Sequence, residues 1–381
     1  MHLDYFLFGY ISMYNPKFVI TNKILKNISI IEACREVIDN APLLPYYEKK
    51  FRDEALTRSV HHGTHIEGNE LNLSQAEKVL QGGEVVGRDR DIQEVINYRK
   101  AMDYIGQSQN SKVKTQNHPL RQSFSEASNS KLKSQIDEDL LKHLHKLTVT
   151  KILSEDKCGA YRKTQVVVKN NRTMEVSFRP PTARLVPDQI KELIAFISTK
   201  QNQDIHPVLK SGIVHYELVR IHPFLDGNGR VARALSTLIL FLEGYDIRKF
   251  FSLEEYFDSN AQYYYSALQS VEKNNNDLTN WLEYFTEGLA IELSKIKERV
   301  ERISVDGKIK EKLGGKPILL TDRQLKIIEY IQETGYLQNQ AFGRLFPMVS
   351  EDTILNELKV LLKNGIIKKQ GVTKGSKYVM G

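Results

Sequence analysis

The densest chemistry in this chain lies in residues 221–233, I-H-P-F-L-D-G-N-G-R-V-A-R: one imidazole, one carboxylate, a Gly-Asn-Gly turn and two guanidiniums. Gly227, Asn228 and Gly229 stand where a helix should begin. A helix N-terminus offers free backbone N–H groups and a positive dipole end to an anion, and glycines let a phosphate approach closely. Arg230 can present a forked, permanently charged donor to that anion, and Arg233, three residues on, lies on the same helix face one turn deeper. Asp226 is a hard oxygen ligand beside the phosphate position, suited to magnesium, which is usually held by one or two carboxylates plus phosphate oxygens. His222 is the nearby group whose unperturbed pKa, about 6.5, suits proton transfer at neutral pH. Taken singly, each has a plainer reading: a structural histidine, a turn-forming aspartate, a loop of small residues. Together they describe nucleotide phosphate chemistry.

Two helices must hold this turn. Upstream, residues 208–220 place Leu209, Ile213, Tyr216 and Val219 at helical spacing; downstream, residues 231–243 are apolar almost all round. The second pattern predicts a buried central helix, with Gly244 as its C-terminal cap. The turn between them resembles the signature of the Fic family, H-P-F-x-[D/E]-G-N-[G/K]-R, and matches it at every specified position from His222 to Arg230. The resemblance implies a mainly α-helical Fic-type core that transfers AMP from ATP to a Ser, Thr or Tyr hydroxyl of a protein, releasing pyrophosphate. It also implies roles. His222 would deprotonate the incoming hydroxyl and Asp226 would hold Mg2+ on the α- and β-phosphates. Gly227, Asn228 and Gly229 would form the anion hole, Arg230 would grip the outer phosphates, and Arg233 would meet the γ-phosphate. Transfer of UMP and removal of AMP belong to the same fold.

A second string, residues 64–69 (T-H-I-E-G-N), resembles the inhibitory-helix motif of many Fic proteins, [S/T]-x-x-x-E-[G/N]. The Glu67-Gly68 pair is intact, but Gly63 stands four residues before Glu67 where the motif has Ser or Thr, with Thr64 adjacent. The resemblance makes Glu67 the carboxylate that would hold Arg233 away from the nucleotide. The structural alternative is a helix end capped by Gly68. His61, His62 and His65 match no metal-site spacing and read as surface or packing residues.

Residues 164–168 and 174–178 are β-rich and joined by a Lys-Asn-Asn-Arg-Thr turn. In the Fic family a hairpin in this place is the flap that aligns the target segment by strand addition, and an exposed strand edge can bind an extended peptide through backbone bonds. Of Tyr263, Tyr264 and Tyr265, the density of aromatics predicts that two are core. The family pattern places the second tyrosine of a pair, corresponding to Tyr265, near the adenosine.

Periodicity and composition divide the chain into residues 13–105, a helical region with the inhibitory motif; 106–135, a Ser-, Asn-, Gln- and Lys-rich insertion; 136–300, the catalytic core; 301–317, a linker; and 318–381, a tail. The tail reads as three helices, residues 321–334, 338–346 and 350–364, followed by a two-stranded wing, the pattern of a winged helix-turn-helix. Residues 301–381 hold fourteen Lys/Arg against nine Asp/Glu, which suits either nucleic acid or a solvated surface. Glu351 and Asp352, however, lie where a recognition helix would meet phosphates. The partners this reading admits are a target protein with an exposed hydroxyl docked at the flap, the chain itself, DNA at the tail, and a second copy in a homodimer. The rival reading is a DNA-binding regulator whose Fic core only senses nucleotide.

The overall charge of +7 over 381 residues does not by itself demand nucleic acid, and 41% hydrophobic residues supply ample core material. The longest apolar run, residues 235–242, is too short to span a membrane and is interrupted by Ser236 and Thr237. Residues 1–12 contain an acid and lack a basic lead, a poor signal peptide. Cys34 and Cys158 are too few and too scattered for a disulfide framework or a zinc site. A cytoplasmic enzyme is the expectation.

Overall fold

A computed structural model describes residues 14–41, 43, 45–107, 136–169, 176–199, 204–303, 320–347, 349–371 and 376–381. Residues 106 and 107 of the expected insertion close a helix, and the rest of it lies outside the described residues, as does the hairpin turn. The described residues are mainly helical, with two small two-stranded antiparallel sheets. Two compact units emerge, residues 1–35 with 53–294, and residues 36–52 with 295–381.

The first unit is built around the predicted central helix. Helix α1 (Asn22–Asn40) and α2 (Pro45–His65) each have one end in this unit. Then come α3 (Leu73–Leu80), α4 (Asp89–Gln107), α5 (Glu138–Val149), α6 (Val186–Ser198), α7 (Pro207–Ile221) and α8 (Asn228–Leu242). Further on are α9 (Leu253–Ser259), α10 (Ala261–Lys273) and the start of α11 (Thr279–Ile303). Along α8 every residue except Gly229 is buried, as its all-round apolar pattern requires. Helix α7 packs along it and is buried from Val208 to Leu218 and at Ile221. Trp281, fully buried, closes the other side and donates its Nε1 to Gly212 O at 2.8 Å. The helix pair therefore presents its connecting turn from a rigid base.

Helix ends follow local chemistry. Helix α3 starts at Leu73 because the Asn72 side chain accepts from Gln75 N and the Gln75 side chain answers the Asn72 N–H. Helix α2 begins at Pro45, whose missing N–H costs nothing in the first turn, and runs to His65. The first flap strand is shorter than expected. Among the described residues only Val168–Lys169 (β1) and Val176–Phe178 (β2) pair, and the expected strand residues 164–167 do not, because Pro180 and Pro181 opposite them have no N–H to extend the ladder. The tyrosine triplet is also corrected. Tyr264 is 1% exposed, but Tyr263 is 67% and Tyr265 39% exposed, since three consecutive helical residues fan around α10 and only one can face the core.

In the second unit α12 (Asp322–Thr334), α13 (Phe342–Leu345) and α14 (Glu351–Lys363) precede an antiparallel pair, β3 (Ile367–Gln370) with β4 (Lys377–Met380). Ile328, Phe342, Leu358 and Tyr378 share one core, and Gln324 binds the buried Glu357 at 2.7 Å. Among the described residues no helix is long and apolar enough to cross a membrane.

Helix α8 ends in a Schellman motif, with Tyr245 N donating to Leu240 O at 2.8 Å and Gly244 at φ +85. Gly244→Ala should cost about 1 kcal/mol through left-handed strain, a loss of a few degrees in Tm measured by thermal denaturation.

Candidate active site

The turn from His222 to Gly227 is held by bonds that leave its reactive atoms free. His222 caps α7 in the left-handed conformation, φ 50 and ψ 60, a strained setting for a side chain with a Cβ, at a cost on the order of 1 kcal/mol. Its Nδ1 lies 3.3 Å from Val219 O, so Nδ1 carries the proton in the neutral ring and Nε2 keeps its lone pair. Burial lowers the pKa of this imidazole, which favours the neutral form. Phe224 N donates to Asn228 Oδ1 and Asn228 Nδ2 to Phe224 O, both at 2.9 Å, so the Asn228 amide clasps the turn while its backbone opens α8.

His145, which sequence reasoning passed over, braces the same turn from α5. Its ring stacks on Phe224 at 3.8 Å and 3°, it accepts from Gly159 N at 2.9 Å, and its Nε2 lies 3.1 Å from Asp226 O. Accepting at Nδ1 fixes the tautomer that donates from Nε2. Burial pushes its pKa down to about 4. No spacing signal marks this residue, since His145 and Asp226 stand 81 positions apart.

Asp226 and the two arginines meet at the start of α8. Gly227, at φ +79, donates to Asp226 Oδ1 at 2.6 Å, and Arg230 Nη2 lies 3.4 Å from the same oxygen. Arg90 of α4 takes the other oxygen, Oδ2, at 2.7 Å while also binding Glu94 at 3.0 Å. Burial alone would raise the Asp226 pKa, but Arg230, the Gly227 N–H and Arg90 hold the carboxyl below its usual range. Arg230 is 1% exposed and has Nε and Nη1 buried without hydrogen-bond acceptors among the described residues, although Glu94 lies 3.5 Å from Nη1.

Arg233 is equally buried and receives the N-terminal segment. Its Nη2 donates to Glu67 Oε1 at 2.7 Å and to Gly63 O at 2.8 Å, while Nε and Nη1 find no acceptor among the described residues. Burial would lower its pKa, but the Glu67 carboxylate more than offsets this and the guanidinium stays charged. Glu67 sits in a turn after α2, with Glu67 N donating to Thr64 O at 3.0 Å and Gly68 at φ +96. A Cβ on Gly229 would land on Glu67 Oε1, so the glycine makes room for the carboxylate.

The departure at Gly63 has a physical reason. A Cβ there would collide with the Tyr98 ring, and the Gly63 carbonyl is one of the acceptors of Arg233. Thr64 supplies the hydroxyl, bonding Val60 O and His61 O at 3.0 Å each. Tyr265 also touches this segment, donating to Ile66 O at 3.1 Å. His62 and His65 share Asp258 at 2.7 and 2.8 Å, and His61 faces Leu71 O at 3.1 Å. His222, Asp226, Gly227, Asn228, Gly229, Arg230, Arg233, Glu67 and Tyr265 are thus gathered around one helix N-terminus.

Residues 135–240 match the model of the Fic/DOC family. Protein adenylyltransferase fic-1 of Caenorhabditis elegans is 29% identical over 188 residues, 49% of this chain and 32% of that protein. Protein adenylyltransferase Fic of Nematostella vectensis is 27% identical over 217 residues, 56% of this chain and 44% of that protein. The match with these relatives thus spans less than half of their length. Among solved structures, a Fic family protein from Desulfovibrio desulfuricans G20 superposes with a TM-score of 0.60 at 23% identity, covering 97% of this chain and 98% of that one. A Fic domain containing signaling protein from Bacteroides thetaiotaomicron gives 0.56 at 20% identity over 74% and 97% of the two chains. The fold is that of Fic proteins.

The buried neutral His145 makes stability depend on pH. Its folded pKa, about 4, lies below the unfolded value of 6.5, so the unfolded chain binds more protons in between. Stability is therefore full above about pH 6.5 and falls as pH drops toward 4, by on the order of 3 kcal/mol from this residue. Denaturant melts at pH 7 and 4.5 should show a smaller acid loss for His145→Gln than for the parent chain.

Proposed function

We propose that this chain transfers AMP from ATP to a hydroxyl of a protein, itself included, and that Glu67 restrains the reaction. The observation that carries the proposal is the Glu67–Arg233 pair, 2.7 Å long, at a helix N-terminus where two buried arginines keep N–H groups without acceptors. Buried donors of this kind call for an anion. A nucleotide's phosphates supply one with the charge and oxygen count that the arginines lack. The Fic/DOC match and the relatives named as adenylyltransferases support the choice of chemistry.

In this reading the neutral His222 takes the proton of the incoming hydroxyl at Nε2. The hydroxyl oxygen bonds to the α-phosphorus, the bond from that phosphorus to the bridging oxygen of the β-phosphate breaks, and pyrophosphate leaves. Gly227, Asn228 and Gly229 offer backbone N–H groups, Arg230 steadies the outer phosphates, and Arg233 meets the γ-phosphate once Glu67 releases it. Tyr265 borders the adenosine side. Little covalent work falls to the protein, since such transfers depend on positioning and charge neutralisation. The β1–β2 edge aligns the target segment.

Asp226 fits a hard divalent cation: it is an ionised carboxylate, one-third exposed, beside the anion position. Phosphate oxygens would complete the coordination of a cation held there. Mg2+ bound there would neutralise charge building on the α- and β-phosphates. Arg90 competes for the same oxygen, so Arg90→Ala should lower the Mg2+ concentration needed for half-maximal ATP binding several-fold.

The decisive experiment is labelling with ATP and, in parallel, UTP. Glu67→Gly should raise automodification from ATP at least tenfold, adding Arg233→Ala should abolish the gain, and His222→Ala should stop transfer while binding nucleotide. A folded Glu67→Gly protein no more active than its parent would rule out restraint by Glu67, and labelling from UTP alone would reassign the nucleotide.

A further inference from the structure

A buried cation that sequence reasoning did not single out ties the hairpin to the turn carrying His222. Arg162 precedes β1 and is 2% exposed. Its backbone N–H donates to Pro223 O at 2.9 Å. Its Nε donates to His222 O at 2.7 Å, Nη2 to Pro181 O at 2.5 Å and to Ile221 O at 3.4 Å, and Nη1 to Thr164 O at 3.2 Å. All of these acceptors are backbone carbonyls. No carboxylate pairs with Arg162 among the described residues, and burial lowers its pKa.

The four side-chain acceptors come from two places. Ile221 and His222 end α7, where the last carbonyls lack intrahelical partners and carry the negative end of the dipole. Thr164 and Pro181 stand on the two legs of the hairpin, which Gln165 also ties by donating to Pro180 O at 2.9 Å. A planar guanidinium can bind both groups at once because its N–H donors point in fixed directions, whereas an ammonium is a single point. The bonds to His222 and Pro223 also bracket the residue whose left-handed backbone needs holding.

We propose that Arg162 is a positioning residue for the transfer reaction: it fixes the His222 imidazole relative to the hairpin edge on which the target segment lies. The inference rests on His222 acting as the base. If the hairpin and the turn were held independently, a target strand could pair with the edge and still present its hydroxyl away from Nε2. With Arg162 in place, alignment of the strand is alignment on the base. Displacement of a reacting group by about 1 Å can cost on the order of 100-fold in rate.

The test uses the full chain carrying Glu67→Gly, with Arg162→Lys and Arg162→Gln added separately. Four readouts are needed: single-turnover automodification with labelled ATP, affinity for a non-cleavable ATP analogue, melting temperature, and NMR titration of the His222 ring. Both variants should stay folded and bind the analogue within about 3-fold of the parent, while transfer falls on the order of 10- to 100-fold. Lysine keeps the charge but not the fork, so it should fail as glutamine does. The His222 midpoint should rise in Arg162→Gln, which removes a nearby positive charge, and stay near the parent's in Arg162→Lys.

Transfer at the parental rate by either variant would overturn the proposal, as would a loss of transfer matched by equal losses of nucleotide binding and folding. If the Glu67→Gly parent itself transfers no AMP, the functional reading fails. The coupling is then judged by hydrogen exchange, where unchanged protection of the hairpin legs and of the His222 turn in both variants refutes it.

Discussion

A guanidinium sealed inside a protein must be answered by a negative charge or by a full set of carbonyl oxygens, and Arg233 at 1% exposure is answered by the Glu67 carboxylate and the Gly63 carbonyl. It enters from a helix buried on almost every side, so it cannot swing out to water, and the carboxylate has to come to it. The segment after α2 brings Glu67 there, and several local features follow. Gly229 lacks a Cβ where the Glu67 oxygen lies, and Gly63 lacks one where Tyr98 packs. Gly68 adopts a positive φ that turns the chain after the acid. Arg233 also uses the Gly63 carbonyl, so one guanidinium fixes both the side chain and the backbone of the segment.

The same electrostatics recur with opposite polarity nearby. Asp226 is a carboxylate held ionised at the mouth of the site, and Arg90 of α4 covers it at 2.7 Å. The N-terminal region thus sets an acid against an arginine and an arginine against an acid. Nucleotide with its cation would carry both charges into the site and could replace both partners. Beneath this layer the turn is tightly bonded by the Asn228 clasp, the His145 stack and the Arg162 carbonyl bonds. The charged partners that a nucleotide would replace lie on top of bonds that it would leave in place.

Much of this was legible because short-range chemistry leaves short-range patterns. The spacing of His222, Asp226, Gly227 and Arg230 follows from one turn and the first coil of one helix, and the apolar run after Val231 announced the helix. The core helices and both hairpins were also readable from periodicity. What stayed hidden depends on contacts across the chain. Arg90, His145 and Arg162 reach the turn from 136, 81 and 60 positions away, and nothing in their own neighbourhoods distinguishes them from surface residues. The shortened first flap strand and the exposed Tyr263 failed for a different reason, since propensity names a residue's preference and not the prolines or helical fan that limit it.

The central claim is that Glu67 and the outermost phosphate of the nucleotide compete for one guanidinium. The measurement that meets it most directly is calorimetric affinity for a non-cleavable ATP analogue and for ADP, in the parent chain and in Glu67→Ala. Freeing Arg233 should strengthen binding of the triphosphate about tenfold, the worth of one charge-assisted bond, and leave ADP nearly unchanged. An equal gain for both nucleotides, or no gain for either, would contradict the account.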